Sequence, residues 1–183
     1  MSDASKGPAG ADAGTPAVSI RRVTRRDAAG ILAIHNEVVT RSTAIFDILA
    51  RSLDEQVQWV ADHSGGHPAI VATELDDSGI EDIVGFASLS PFRARPAYAT
   101  TVEDSVYVRE DRHGRGYGRA LLGELLVLAV DGGFHSVIAR IADHNEASIA
   151  LHAAYGFEMV GVEREVGRKF GRWLDVVQMQ RLL

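Results

Sequence analysis

The chain has 183 residues, a formal net charge of −6 at pH 7 and no cysteine. This length suits one domain, and the acidic balance argues against a general nucleic-acid or anionic-membrane partner. The lack of cysteine excludes disulfides and thiolate metal sites and agrees with a reducing compartment. No apolar run approaches the about 18 residues that a membrane-spanning helix needs.

Residues 1–17 combine Ala, Gly, Ser and Pro with scattered charges. They contain no apolar segment like the core of a secretory signal, and such a composition buries too little apolar surface to fold. We therefore expect a disordered tail over residues 1–17, a single domain over residues 18–183 and a cytoplasmic location.

The first part of the chain predicts a short strand, Val18–Val23, followed by two helices. Thr24 with Asp27 resembles a loose capping box that opens the first helix, and Ser52 with Glu55 forms a better one for a helix from Leu53 to about Asp62. The first helix presents an apolar face formed by Ala28, Ile31, Leu32, His35, Val38 and Val39. Glycine and proline at positions 65–68 end the second helix.

The rest of the chain alternates strands with two further helices. A turn at 76–79 separates the first two strands, and one helix follows a glycine-rich loop while another runs from Asn145 to about Tyr155. Strands are expected at Ala69–Glu74, Ile83–Leu89, Thr101–Val108, Ser136–Ile141, Phe157–Val162 and Leu174–Gln180. The order β-α-α-β-β-β-α-β-α-β-β indicates a mixed sheet in an α/β layer fold.

The loop after the strand Thr101–Val108 is rich in glycine and arginine. Glycines at positions 114, 116 and 118 let main-chain N–H groups approach a ligand closely. The N-terminal end of the following helix adds positive partial charge at the same place. Arg112, Arg115 and Arg119 add full charges. Together these features predict a site for a pyrophosphate group.

Other interpretations of this loop compete with that prediction. A solvated turn before a surface helix is the simplest one. A Rossmann site requires G-x-G-x-x-G after the first strand of a βαβ unit, with an acidic residue about 20 residues further along the chain. Neither the glycine spacing of this loop nor its position in the chain agrees with that pattern. A Walker loop requires Gly-Lys-Ser/Thr, which is absent.

Two segments resemble the Gcn5-related N-acetyltransferase (GNAT) superfamily. Residues 113–118 (HGRGYG) resemble its Arg/Gln-x-x-Gly-x-Gly/Ala signature, with His113 where Arg or Gln is usual, and Asn145–Phe157 resembles its Asn-x-x-Ser … Tyr-Gly-Phe stretch. The resemblance implies acetyl-CoA as cofactor and the acyl-CoA N-acyltransferase fold. That α/β (α+β) fold has a central, mixed, mostly antiparallel sheet of about seven strands with helices on both faces. It also implies cofactor contacts from Val106, Val108, Arg112, His113, Gly114, Arg115, Gly116, Tyr117, Gly118, Arg119, Asn145 and Ser148.

A narrower resemblance extends from about residue 20 to the C-terminus. Asn36 with Ser42–Phe46, Pro91–Val108 and Gly167–Val176 resemble phosphinothricin and methionine sulfoximine acetyltransferases. These enzymes acetylate the α-amino group of small amino-acid-like compounds, and their proposed base falls on Glu103, with Asp104 as the alternative. A base is needed because a protonated amine is unreactive, and partial burial raises the pKa of a carboxyl group toward the working range.

Two residues are candidates for the acid that protonates the departing thiolate. The wider superfamily implies Tyr155, and the phosphinothricin subgroup implies His152. A thiol with a pKa of about 8.5 is also a tolerable leaving group unaided. Main-chain N–H groups near Val108 are expected to polarise the thioester carbonyl.

The acceptor pocket is expected to combine a cation with aromatic walls. Arg93 or Arg95 could bind a carboxylate in a bidentate fork, and Phe46, Phe92, Tyr98 and Trp173 could wall the pocket. The histidines show no ligand-like spacing, so no metal site is expected, and His35 is expected to pack in the core. The subgroup further implies a homodimer, with the final hairpin as a reasonable contact.

Two alternative functions remain at this point. One is acetylation of another amine, such as a polyamine or a peptide N-terminus, although a polyamine pocket should be acidic. The other is a non-catalytic acyl-CoA sensor, which needs no base such as Glu103.

Overall fold

A computed structural model of the chain describes residues 18–75 and 78–183. The expected disordered tail and residues 76 and 77 of the expected turn lie outside this range. The strands are β1 (Ser19–Arg22), β2 (Ala69–Leu75), β3 (Glu81–Pro91), β4 (Thr101–Val108), β5 (Ser136–Ala142), β6 (Glu158–Lys169) and β7 (Arg172–Leu182). The α-helices are α1 (Ala28–Arg41), α2 (Leu53–Asp62), α3 (Tyr117–Asp131) and α4 (Glu146–Ala154).

The seven strands of the described residues form one sheet in the order β1-β2-β3-β4-β5-β7-β6. Strands β4 and β5 pair in parallel, and the other neighbouring strands pair antiparallel. Helices α1 and α2 pack on one face, and α3 and α4 pack on the other. The expected fold, a mixed and mostly antiparallel sheet between helices, is confirmed.

Strand alternation divides the core between the two faces of the sheet. In β2, Ile70 joins the cluster around α3, whereas Val71 joins Phe86 in the cluster under α1 and α2. Leu121 and Leu125 of α3 are fully buried. Each face is therefore covered by helices, which is why β2 and β3 read as nearly continuous apolar runs.

Both expected capping boxes are present. Ser52 and Glu55 cap α2, while Thr24 and Asp27 cap a short 3-10 turn that leads into α1. The Asp27 carboxylate also accepts two hydrogen bonds of 2.8 Å from the Arg21 guanidinium. This ion pair attaches the start of α1 to β1, because Arg21 belongs to that strand.

The closing hairpin is longer than expected. Strand β6 continues to Lys169 through the mostly charged residues 163–169, which show no apolar alternation. The hairpin turns at Phe170 and Gly171, both with positive φ (50° and 77°), as a tight two-residue turn requires. Partner pairing with β7, rather than local propensity, therefore sets the end of β6.

A gap opens in the sheet between β4 and β5. The two strands pair from Thr101 to Asp104 on β4 and from Ser136 to Ala139 on β5. Beyond these residues the pairing stops, although both strands continue. Beyond this point, main-chain N–H and C=O groups that would otherwise join β4 to β5 by hydrogen bonds face an open space. A ligand in the gap could bind to these groups.

Candidate active site

A cavity of about 240 Å3 lies at the gap between β4 and β5. Its wall includes Glu103 and Asp104 of β4, Arg140 of β5 and His152 of α4. A second cavity, of about 480 Å3, shares Val106, Tyr107 and Asn145 with the first and extends to His113 in the glycine-rich loop. The two cavities together extend from the expected base to the start of the expected pyrophosphate loop.

Glu103 lies in the wall of the first cavity, on the sheet face opposite Val102. Burial raises the pKa of Glu103 above its ordinary value. The positive charge of Arg140 opposes this rise, while the carboxylates of Asp104 and Glu163 add to it. A carboxylate with a raised pKa next to an open cavity has the properties of a general base.

Asp104 and His152 form a buried pair across the other side of the gap. Their side chains are 1% and 5% exposed, and His152 Nε2 lies 2.9 Å from Asp104 Oδ2. His152 Nδ1 lies 2.7 Å from the Ser148 carbonyl oxygen. Because that carbonyl can only accept, Nδ1 carries a hydrogen. Asp104 was the alternative base, and the structure gives it a partner instead.

The pair is best described as an imidazolium and a carboxylate. Burial by itself lowers the pKa of His152, but the Asp104 carboxylate and the Ser148 carbonyl outweigh that effect and hold the pKa above its ordinary value. Asp104 Oδ1 is buried and has no hydrogen-bond partner among the described residues. One carboxylate oxygen thus remains available beside the gap.

The glycine-rich loop presents unpaired main-chain donors. Gly114 and Gly116 have φ angles of 74° and 87°, which residues with a Cβ rarely adopt, and Gly116 is the N-cap of α3. Within residues 18–75 and 78–183, no hydrogen-bond partner is found for the N–H groups from Gly114 to Arg119. Arg115 and Arg119 are exposed beside them. The geometry supports the predicted anion site.

Three side chains of the expected cofactor loop are occupied within the protein. Arg112 binds Glu74 and Asp111. The His113 ring lies 2.8 Å from the Val108 carbonyl oxygen, to which its Nε2–H donates. Tyr117 is buried in the core. The ring donor of His113 holds the loop against β4, so main-chain N–H groups remain for the cofactor.

The ends of β4 and α4 also present main-chain and side-chain groups to the cavities. Arg109 N–H donates to the Val84 carbonyl, so alternation turns the main-chain groups of Val106 and Val108 away from β3 and toward the gap. Asn145 caps α4 by accepting from the Ser148 N–H. The Asn145 amide nitrogen is therefore free for a second contact.

Tyr155 lies outside the walls of both cavities. Its hydroxyl donates to the Arg119 carbonyl over 2.6 Å, and its ring packs where Gly123 leaves room for it; a Cβ on Gly123 would lie 2.8 Å from the hydroxyl oxygen. The structure therefore gives Tyr155 a packing role against α3 and brings only His152 of the two candidate acids to the gap.

Phe46 covers the first cavity from the loop between α1 and α2. Lys169 holds this loop through a 2.8 Å hydrogen bond from Nζ to the Ile45 carbonyl. His35, buried as expected, contacts Asp47 of the same loop. The ring of Phe46 lies directly over Gly167, where no side chain obstructs it. The expected aromatic wall is thus present at Phe46.

The other expected acceptor residues lie outside both cavity walls. Phe92 and Tyr98 pack edge to face with Arg93 stacked on both, in the exposed loop between β3 and β4. Arg95 lies in the same loop. Trp173 is 59% exposed on the closing hairpin, with Arg168 above its ring. None of these residues contacts Glu103, and their binding roles stay predictions.

Two features of the site had no signal in the sequence. Arg140 resembled an ordinary strand residue, and Asp104 and His152 are 48 positions apart along the chain.

Within the described ranges, no group of three or more His, Asp or Glu side chains could hold a metal ion. None of the helices there is long and apolar enough to cross a membrane.

Comparison with known proteins agrees with the fold and the loop. Residues 20–178 match the acetyltransferase (GNAT) domain. A phosphinothricin N-acetyltransferase from Streptomyces coelicolor is 39% identical over 93% of this chain and 99% of its own length. An L-methionine sulfoximine/L-methionine sulfone acetyltransferase from Pseudomonas paraeruginosa is 42% identical over 88% of this chain and 92% of its own.

A solved structure adds a third comparison. The GNAT superfamily phosphinothricin acetyltransferase from Sinorhizobium meliloti, in complex with AcCoA, has a TM-score of 0.85 and 38% identity to this chain. The similarity covers 91% of this chain and 88% of that one. The GNAT domain match covers nearly all of the described residues, and it agrees with the gap in the sheet and with the loop of unpaired N–H groups. The chain therefore belongs to the GNAT family of acetyltransferases.

Proposed function

We propose that this chain transfers the acetyl group of acetyl-CoA to the α-amino group of a small amino-acid-like acceptor, of the phosphinothricin or methionine sulfoximine and sulfone type. The observation that carries the proposal is the position of Glu103. It lines a cavity whose neighbour extends to His113, the residue before the loop of unpaired N–H groups. A base and an anion site at neighbouring cavities suit an acyl transfer between a phosphorylated carrier and an amine.

The chain offers acetyl-CoA a set of matching donors. The N–H groups of residues 114–119 and the positive end of α3 suit the diphosphate, and Arg115 and Arg119 add charge at the rim. Val106, Val108, Asn145 and Ser148 line the path from the loop to the gap. Bound there, the cofactor supplies an activated acetyl thioester, whose carbonyl the main-chain N–H groups of β4 polarise.

Glu103 acts as the general base, directly or through a water molecule. It accepts a proton from the acceptor ammonium, which frees the nitrogen lone pair to attack the thioester carbon. The new C–N bond forms as the C–S bond breaks, the sulfur leaves with the electron pair, and the nitrogen releases its second proton to solvent to give the neutral amide. The raised pKa of Glu103 brings its proton affinity closer to that of the amine.

The departing sulfur needs little help from a dedicated acid. Both ring nitrogens of His152 already face acceptors, Asp104 and Ser148, and the Tyr155 hydroxyl faces Arg119. We therefore assign neither side chain the role of a proton donor, and the positive charge of His152 is matched by Asp104. A thiol pKa of about 8.5 permits departure without a proton.

A thiol-release assay tests the proposal. Wild-type protein is given acetyl-CoA with methionine sulfone or phosphinothricin, with a polyamine as comparison and without any acceptor. We expect acceptor-dependent release of coenzyme A with the amino acids and little with the polyamine. Tight binding of acetyl-CoA with no release for any amine would instead favour the acyl-CoA sensor, and release with the polyamine alone would favour the other-amine alternative.

We further propose a cytoplasmic homodimer built from a single domain of residues 18–183. The closing hairpin supports the contact, because it exposes a set of large apolar residues: Met159, Val160, Val162, Val166, Phe170 and Trp173. Exposed apolar surface of this extent favours a protein partner. Light scattering of the purified protein gives the mass in solution; a monomer at assay concentrations would contradict the dimer.

A further inference from the structure

Arg140 is the cation closest in the sheet to the proposed base. Glu103 pairs with Ile138 across β4 and β5, so Arg140 lies two residues further along β5 and on the same face. With strands about 4.8 Å apart and about 3.3 Å per residue, the two Cα atoms are roughly 8 Å from each other. Both side chains line the first cavity.

The Arg140 guanidinium is oriented but not saturated. Its Nη2 donates to Glu163 Oε2 over 2.6 Å, and the described residues provide no other acceptor for its remaining N–H groups. An arginine has five such donors in a planar fork. Glu163, on β6, therefore fixes the side chain from behind and leaves donors for a further anion.

Glu163 neutralises the charge of Arg140, but Arg140 is the cation in the described wall of this cavity that keeps unused N–H donors. His152 is the other positive group there, and its charge is matched by Asp104. In the second cavity, Arg109 is held by Asp82 and Asp111. An anion that enters the cavity beside Glu103 can thus accept hydrogen bonds from the free N–H groups of Arg140.

We propose that Arg140 binds the α-carboxylate of the acceptor and makes the enzyme selective for free α-amino acids. The inference rests on the proposed function. An α-amino acid presents an ammonium and a carboxylate on one carbon, and the cavity presents a carboxylate and a guanidinium on one sheet face in complementary order. With its carboxylate on Arg140, the acceptor places its amino group toward Glu103. Amino-acid amides and peptide N-termini lack this anion.

The test compares methionine sulfone with its α-carboxamide in the thiol-release assay. Wild type is expected to prefer the free acid by about 10- to 100-fold in kcat/KM, as a charge-assisted hydrogen-bond pair would give. In Arg140→Ala the preference should fall to about threefold or less, through a raised KM for the acid. Arg140→Lys should keep part of the preference, since it retains the charge without the fork.

Arg164→Ala is the matched control, because Arg164 is an exposed arginine on β6 that lines neither cavity. Its preference and its KM should equal those of wild type. The calorimetric Kd for acetyl-CoA should be unchanged in Arg140→Ala, which shows that the variant is folded. An unchanged acid preference in Arg140→Ala overturns the inference, as does its loss in Arg93→Ala or Arg95→Ala instead. If wild type acetylates neither compound, the proposed function itself fails.

Discussion

Replacing Asp104 by asparagine separates the charge of the buried pair from its shape. In wild type, His152 has a raised pKa. The pair therefore contributes its full amount to the free energy of unfolding below the unfolded-state pKa of about 6.5. This contribution is lost as pH rises through the folded-state pKa. In Asp104→Asn, burial of His152 without a carboxylate lowers its pKa. The variant therefore loses stability relative to wild type as pH falls.

The size of the effect follows from the burial of both groups. At pH 6 the variant must leave a buried cation unpaired or deprotonate it, and a broken buried pair costs about 3 kcal/mol. At a pH high enough to make the imidazole neutral in both proteins, only the exchange of the carboxylate for an amide beside Nε2 remains, about 1 kcal/mol.

Urea denaturation at pH 6 and pH 9 measures both free energies of unfolding. Asp131→Asn serves as control, because Asp131 is exposed at the end of α3; its stability should match wild type at both values of pH. If Asp104→Asn lowers the free energy of unfolding by the same amount at pH 6 and pH 9, the imidazolium–carboxylate assignment is refuted. A neutral pair predicts that the effect of the substitution does not depend on pH.

Three further changes test other parts of the structure. Asp27→Asn should lower the free energy of unfolding at pH 7 by about 2–3 kcal/mol. The pKa of Asp27 lies below its ordinary value of 3.8, because the hydrogen bonds from Arg21 and Thr24 outweigh the opposing effect of burial. The difference from wild type should therefore shrink in urea titrations as pH falls below 3.8, and a difference that stays constant there would contradict the pair. Gly167→Ala should displace the Phe46 ring and raise the acceptor KM by roughly tenfold without changing the calorimetric Kd for acetyl-CoA; an unchanged KM would remove Phe46 from the acceptor wall. Tyr155→Phe should cost about 1 kcal/mol of stability and leave kcat within about threefold of wild type; a loss of a hundredfold in stopped-flow turnover would restore Tyr155 as the acid.

The sequence predicted the fold well where local chemistry decides it. Ser52 with Glu55 and Gly116 before α3 determine element boundaries through their own hydrogen bonds and φ angles. Strand β4 was predicted with its observed bounds, because Val102, Val106 and Val108 alternate with polar residues. In contrast, β6 extends through residues 163–169 because β7 pairs with Glu163 and with residues 167–169 on the two sides of a bulge, and no local pattern reports that pairing.

The site was predictable in its ligand class but not in its contacts. The glycine spacing and the following helix indicated an anion site, and the structure leaves those N–H groups unpaired. The partners of Arg112 and His113, by contrast, lie on β2 and β4, and those of Asp104 and Arg140 lie on α4 and β6. Such contacts depend on which strands become neighbours, which sequence spacing alone does not reveal.

The most direct test of the central claim is the turnover of Glu103→Gln with acetyl-CoA and methionine sulfone at pH 7.5. Loss of a general base predicts a decrease in kcat/KM of about a hundredfold or more, while the calorimetric Kd for acetyl-CoA stays that of wild type, because residues 114–119 are untouched. Wild-type turnover in this variant would contradict the account, since no amine could then depend on Glu103 for its deprotonation.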